Sequence, residues 1–129
     1  MTNTANATTT PTALTCPECG GAMREEHIGT LTQFRCHIGH VMTAEVLEAH
    51  QLETIEGTLA SALRLLNERE ALCREMAERE EARGNLSAVA AWRAAQAEAL
   101  SRKDTMAKLA ALDWRHPEET IAKKPGEAS

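Results

Sequence analysis

Aromatic residues are nearly absent from this 129-residue chain, which has no tyrosine, one phenylalanine (Phe34) and two tryptophans (Trp92, Trp114). A core built without them must draw on Ala, Leu, Ile, Val and Met, which favours helix packing over a large mixed sheet. Excess positive charge is also lacking. The formal net charge of -5 argues against broad attraction to nucleic acid or to anionic membrane. No apolar run approaches the roughly 20 residues needed to cross a bilayer, so a soluble protein is expected. The opening "MTNTANATTTPTALT" has neither the basic n-region and apolar h-region of a signal peptide nor the arginines of a transit peptide. The expected compartment is therefore the reducing cytoplasm, which disfavours disulfides as the use of four cysteines.

What is present is concentrated. Residues 16–40, "CPECGGAMREEHIGTLTQFRCHIGH", hold three of the four cysteines and three of the five histidines. Cys16 and Cys19 are separated by two residues, a spacing that puts two thiolates on adjacent corners of a tetrahedron, and Gly20-Gly21 lets the backbone turn tightly beneath a metal. Cys36 follows, and then His40, giving C-x2-C-x16-C-x3-H, within the range of closed structural zinc sites. The predicted ligands are Cys16, Cys19, Cys36 and His40, holding one structural Zn2+ per chain. His37 is the rival fourth ligand, but its adjacency to Cys36 would crowd the same coordination corner. "MREEHIGTLTQFRC" reads as two short strands around Gly29-Thr30, a hairpin that returns Cys36 to the first knuckle with Phe34 as the apolar plug. A redox pair is the competing use of the cysteines, but a thioredoxin-like setting of several strands and a helix start is missing.

Residues 43–115 contain no proline and are dominated by Ala, Leu, Glu and Arg. Leu52, Ile55, Leu59, Ala62, Leu66, Cys73 and Met76 recur at helical steps, interrupted by Arg69 on that stripe. Thr43 is the expected N-cap with Glu45 in the first turn. Gly84-Asn85 breaks the pattern, placing one helix at 44–82 and a second at 86–114, with Leu86, Val89, Ala90, Ala97, Leu100, Ala107, Ala111 and Trp114 on its stripe. So short a connection makes the pair an antiparallel, coiled-coil-like hairpin. The expected fold is thus mainly α: tails at 1–14 and 116–129 expected to be disordered, a zinc ribbon at 15–42 and a helical hairpin at 43–115. Two helices bury little by themselves, and Leu63, Leu65, Leu72, Met106, Leu109 and Leu112 are left over, so a homodimer pairing into a four-helix bundle is expected, with a monomeric hairpin or one docked on another protein as the rival.

The segments "CPECGG", "FRCHIGH", "AEVLEA", "ALRLLNERE" and "ARGN" together resemble a C-terminal extension of bacterial chemotaxis-type protein-glutamate methylesterases, the CheB group, over residues 15–112. In that extension another residue often stands at the place of His37, which favours His40 as ligand. The resemblance implies signal transduction with a protein partner, and it does not carry catalysis. No G-x-S-x-G occurs and no strand-helix alternation could house an esterase triad. The expectation is a non-enzymatic zinc-binding regulatory module of a chemotaxis-like or two-component pathway. The alternative is a nucleic-acid-binding zinc-ribbon regulator, against which residues 15–42 offer only Arg24 and Arg35 beside Glu18, Glu25 and Glu26.

Overall fold

The computed structural model of the chain describes residues 7–117. Four strands come first: β1 (Ala7–Thr15), β2 (Ala22–Ile28), β3 (Leu31–Cys36) and β4 (Val41–Met42). Helices α1 (Ala44–Arg83) and α2 (Leu86–Ala110) follow. The strands form one antiparallel sheet in chain order. A four-stranded sheet followed by a helical hairpin is a broader β contribution than the two-stranded ribbon expected in a mainly α chain.

The difference lies chiefly at β1. Residues 7–14, expected to be part of a disordered tail, pair with β2 in the register Thr8↔His27, Thr9↔Glu26 and Thr10↔Glu25. Threonine is β-branched and favours extended backbone without contributing an apolar alternation, so a Thr-rich strand leaves no hydrophobic period to read. Pro11 is tolerated because β1 is an edge strand, and the register shifts between Pro11 and Thr15. There Thr12 Oγ1 donates to the Met23 carbonyl at 2.8 Å and accepts from the Leu14 amide at 3.1 Å. Residues 1–6 and 118–129, which make up most of the two expected tails, lie outside the described residues.

The described chain divides into two compact units: residues 7–54 together with 114–117, and residues 55–113. In the first, Ile28 pairs with Leu31 across a two-residue turn. Gly29 takes φ 63° and Thr30 stays at negative φ, the pattern of a type II′ hairpin turn, which matches the twist of the flanking strands. The core gathers Cys16, Met23, Cys36, Met42 and Leu47, with Leu14 and Phe34 partly buried against it. Met23, rather than Phe34, is the fully enclosed plug. Thr43 caps α1 by accepting from the Val46 amide at 3.3 Å.

In the second unit the helix break has a defined geometry. Gly84, at φ 75°, donates to the Glu81 carbonyl and Asn85 donates to that of Glu80. This is the Schellman arrangement, which satisfies the last carbonyls of a helix and needs a residue tolerant of the left-handed region. The Asn85 side chain then accepts from the Ala88 amide, capping α2. Cys73, Ala77 and Ala99 are buried, and Leu59, Ala62, Leu63, Leu66 and Met76 on α1 and Val89, Trp92 and Met106 on α2 are half-buried. The inner face of α2 is therefore rotated from the expected stripe, since Leu86, Ala97 and Leu100 are exposed. Alanine is frequent on every face of α2 and cannot mark one. The helix also ends at Ala110 rather than 114, and His116, beyond it, lies 3.7 Å from Glu48.

Candidate metal centre

Two turns bring the ligands together. Between β1 and β2 the chain reverses through Cys16-Pro17-Glu18-Cys19-Gly20-Gly21: the Cys16 amide donates to the Gly21 carbonyl and the Gly20 amide to the Cys16 carbonyl, both at 2.7 Å. Gly20 sits at φ 73°, where a side chain would strain the backbone. Between β3 and β4 the Gly39 amide donates to the Cys36 carbonyl and the Cys36 amide to the His40 carbonyl. Gly39 is likewise left-handed, at φ 112°. The β2–β3 hairpin lays one turn against the other by pairing Met23 with Cys36.

The consequence is a compact donor set. One ligand atom from each of Cys16, Cys19, Cys36 and His40 falls within 4.8 Å of all the others. The Cys19 and Cys36 sulfurs are 3.7 Å apart, and His40 Nδ1 is 3.6 Å from Cys16 Sγ and 3.4 Å from Cys36 Sγ. Zinc bonds of about 2.3 Å to sulfur and 2.0–2.1 Å to nitrogen give tetrahedron edges of about 3.8 Å between sulfurs and about 3.6 Å between sulfur and nitrogen. These three separations match such edges, and the remaining ones stay within 4.8 Å, so the group could hold an ion of that size. Cys16 and Cys36 are buried, His40 is half-buried and Cys19 is exposed, so the site sits at the edge of the small core.

The backbone prepares the sulfurs for negative charge. The His40 amide points at Cys36 Sγ at 3.3 Å and the Gly21 amide at Cys19 Sγ at 3.4 Å. Burial pushes the Cys36 thiol up, but the amides of His40, Gly39 and Ile38 outweigh it and bring it down to about 6. For Cys19 the Gly21 amide favours the thiolate, whereas partial burial and the Cys36 and Cys16 sulfurs oppose it, with a net upward shift. One sulfur is thus ready to ionise and its neighbour resists following, a repulsion that a divalent cation removes.

His37 takes no part in the donor set. Its ring packs over Gly21, where an added Cβ would lie 2.7 Å from His37 Cε1 and 3.3 Å from Cys19 Sγ. His27 stands on β2, beside Thr32 at 3.2 Å and Glu25 at 3.4 Å. Cys73 is buried in the other unit. One contributor escaped the sequence reading: Glu18, inside the first knuckle, places Oε2 3.2 Å from His40 Nε2. An acid between two closely spaced metal cysteines is the signal that was available, because ligating imidazoles commonly donate their second N–H to a carboxylate.

Comparison with protein families, with curated proteins and with solved structures returns no match. The likeness to the methylesterase extension accordingly rests on the quoted segments alone. No helix of the described residues is long and apolar enough to cross a membrane.

Proposed function

We propose that this protein is a non-catalytic interaction module in which a structural zinc ion staples the small sheet and the helical hairpin carries the docking surface. The observation that supports it most is the donor set itself, three sulfurs and one imidazole at tetrahedral spacing. Four protein ligands fill a tetrahedral ion, and thiolate-rich tetrahedra suit zinc. What the ion supplies is cross-linking. Among the described residues, the cluster around it has only Met23, Met42 and Leu47 as buried apolar residues besides two of the ligands, a small core for which a staple is the expected supplement.

A protein partner in a bacterial sensory pathway is the context that the resemblance to the CheB extension suggests. Exposed leucines on both helices, including Leu65, Leu72 and Leu109, and Leu112 just beyond α2, supply contact surface for a partner or for a second copy. Nucleic acid is the less favoured ligand: of the two arginines in the ribbon, Arg35 is tied to Glu26 at 2.9 Å, and no aromatic platform accompanies Arg24.

Native mass spectrometry of protein purified without added metal tests the reading. One zinc per chain, lost together with the fold of the sheet in Cys19→Ser, is the expected result. A metal-free chain with a folded sheet would overturn it.

A further inference from the structure

The helical hairpin carries an open groove of about 490 Å³ between α1 and α2, wholly within the unit of residues 55–113. Ala62, Leu65, Leu66, Thr105 and Met106 line it together with Arg69 on α1 and Arg102 on α2, and its surface is almost entirely apolar, so the two arginines border it with their aliphatic stems. These two arginines differ from the others on the helices. Arg64, Arg74, Arg79 and Arg83 each bond a glutamate three or four residues away on α1, and Arg93 bonds Gln96 and lies 3.7 Å from Glu81. Among the described residues, Arg69 and Arg102 have no hydrogen-bond or ion-pair partner.

We infer that this groove binds an acidic amphipathic helix of a partner protein, whose leucine-type side chains fill the apolar surface while flanking carboxylates pair with Arg69 and Arg102. The inference rests on reading the hairpin as the docking part of a metal-stapled module. A groove between two helices accepts apolar anchors at i, i+3 or i+4, and i+7 of a third. Guanidinium groups beside such a surface select carboxylates by direct, often bidentate pairing and steer their approach. A second copy fits this face poorly. A two-fold contact presents the same patch from both sides, so it would bring two further unpaired arginines to the two already there.

The test uses the full zinc-loaded chain and two labelled synthetic helices about 18 residues long, enough to hold helical structure. Both carry leucines at i, i+3 and i+7, flanked by glutamates in one and by lysines in the other. Fluorescence anisotropy should show the glutamate peptide binding and weakening with salt. Charge reversal in Arg69→Glu/Arg102→Glu should weaken that peptide about tenfold or more and create binding of the lysine peptide. Both positions are exposed, so the variant should keep its circular dichroism. Failure of the glutamate peptide to bind, or equal binding of both peptides, would overturn the inference. So would a wild-type dimer by sedimentation that survives charge reversal and dissociates in Leu65→Asp, which would give the groove to a second copy. The zinc stoichiometry is measured separately, so loss of the docking site and loss of the metal reading cannot be confused.

Discussion

His40 faces sulfur with one nitrogen and a carboxylate with the other: Nδ1 lies 3.4 Å from the Cys36 sulfur and 3.6 Å from that of Cys16, while Nε2 lies 3.2 Å from Oε2 of Glu18. With Nδ1 as the ligand atom, Nε2 carries the proton and hydrogen-bonds to the carboxylate, which fixes the tautomer and the ring orientation. Removing the carboxylate in Glu18→Ala should lower zinc affinity about tenfold, the lower end of such effects, since Glu18 is half exposed. Glu18→Gln, which keeps an acceptor without the charge, should fall between. Competition against a chromogenic chelator measures both, and unchanged affinity in the two variants would reduce the contact to a surface pair.

His37 and Gly21 make a second, separable prediction. His37→Ala should retain zinc, because the imidazole lies outside the donor set. Gly21→Ala pushes a methyl group to 2.7 Å from His37 Cε1 and 3.3 Å from Cys19 Sγ, so it should destabilise the metal-loaded sheet by about 1 kcal/mol. The exposed His37 ring can swing aside more readily than the ligand sulfur. If it is the obstacle, combining Gly21→Ala with His37→Ala should recover most of the loss in thermal unfolding. An equal cost in both backgrounds would assign the crowding to Cys19.

The donor set was legible because coordination geometry dictates sequence spacing: two thiolates separated by two residues and Gly20 beneath them leave a pattern that a single chain displays. The helix break was legible for a similar reason, since Gly84 and Asn85 are each suited to one backbone task. β1 was not, because Thr8, Thr9 and Thr10 form a strand through pairing with β2 and carry no apolar alternation of their own. The inner face of α2 was not, because Ala90, Ala97 and Ala107 fit a stripe as well as Ala88, Ala95 and Ala99 do. Nor was the polar member of the hairpin interior. Arg69 interrupts the expected stripe, but the residue turned inward is Glu70, which accepts a hydrogen bond from Gln96 on α2 at 2.9 Å.

That bond makes the hairpin sensitive to acid. The Gln96 amide holds the Glu70 carboxyl below its ordinary value of 4.5, helped by Arg74 and Lys103 and opposed by partial burial. A carboxylate whose folded value is depressed stabilises the fold above its unfolded value, and that contribution is lost as pH falls through the folded value. The helical hairpin should therefore weaken below about pH 4.5. Gln96→Leu should flatten this part of the profile. Because acid also competes with a metal for its ligands, the comparison is between wild type and variant at matched pH and metal load, followed by helix melting. Parallel profiles would show that the bond does not distinguish the two protonation states.

The metal centre and the hairpin interior belong to different compact units, and this division can be tested with neighbouring leucines. Leu66 is half-buried on the inner side of α1, whereas Leu65 is 55% exposed. Aspartate at 66 brings a charge into the helix–helix contact and should cost the hairpin about 2 kcal/mol or more. Zinc affinity should stay within about twofold of wild type, since sites in separate compact units without shared partners act independently. Aspartate at 65 should leave both the helix melt and the zinc affinity unchanged while abolishing binding of the acidic peptide. If Leu66→Asp lowers zinc affinity and helix stability together, the sheet and the hairpin fold as one cooperative body, and a partner bound at the helices would then tighten the metal site as well.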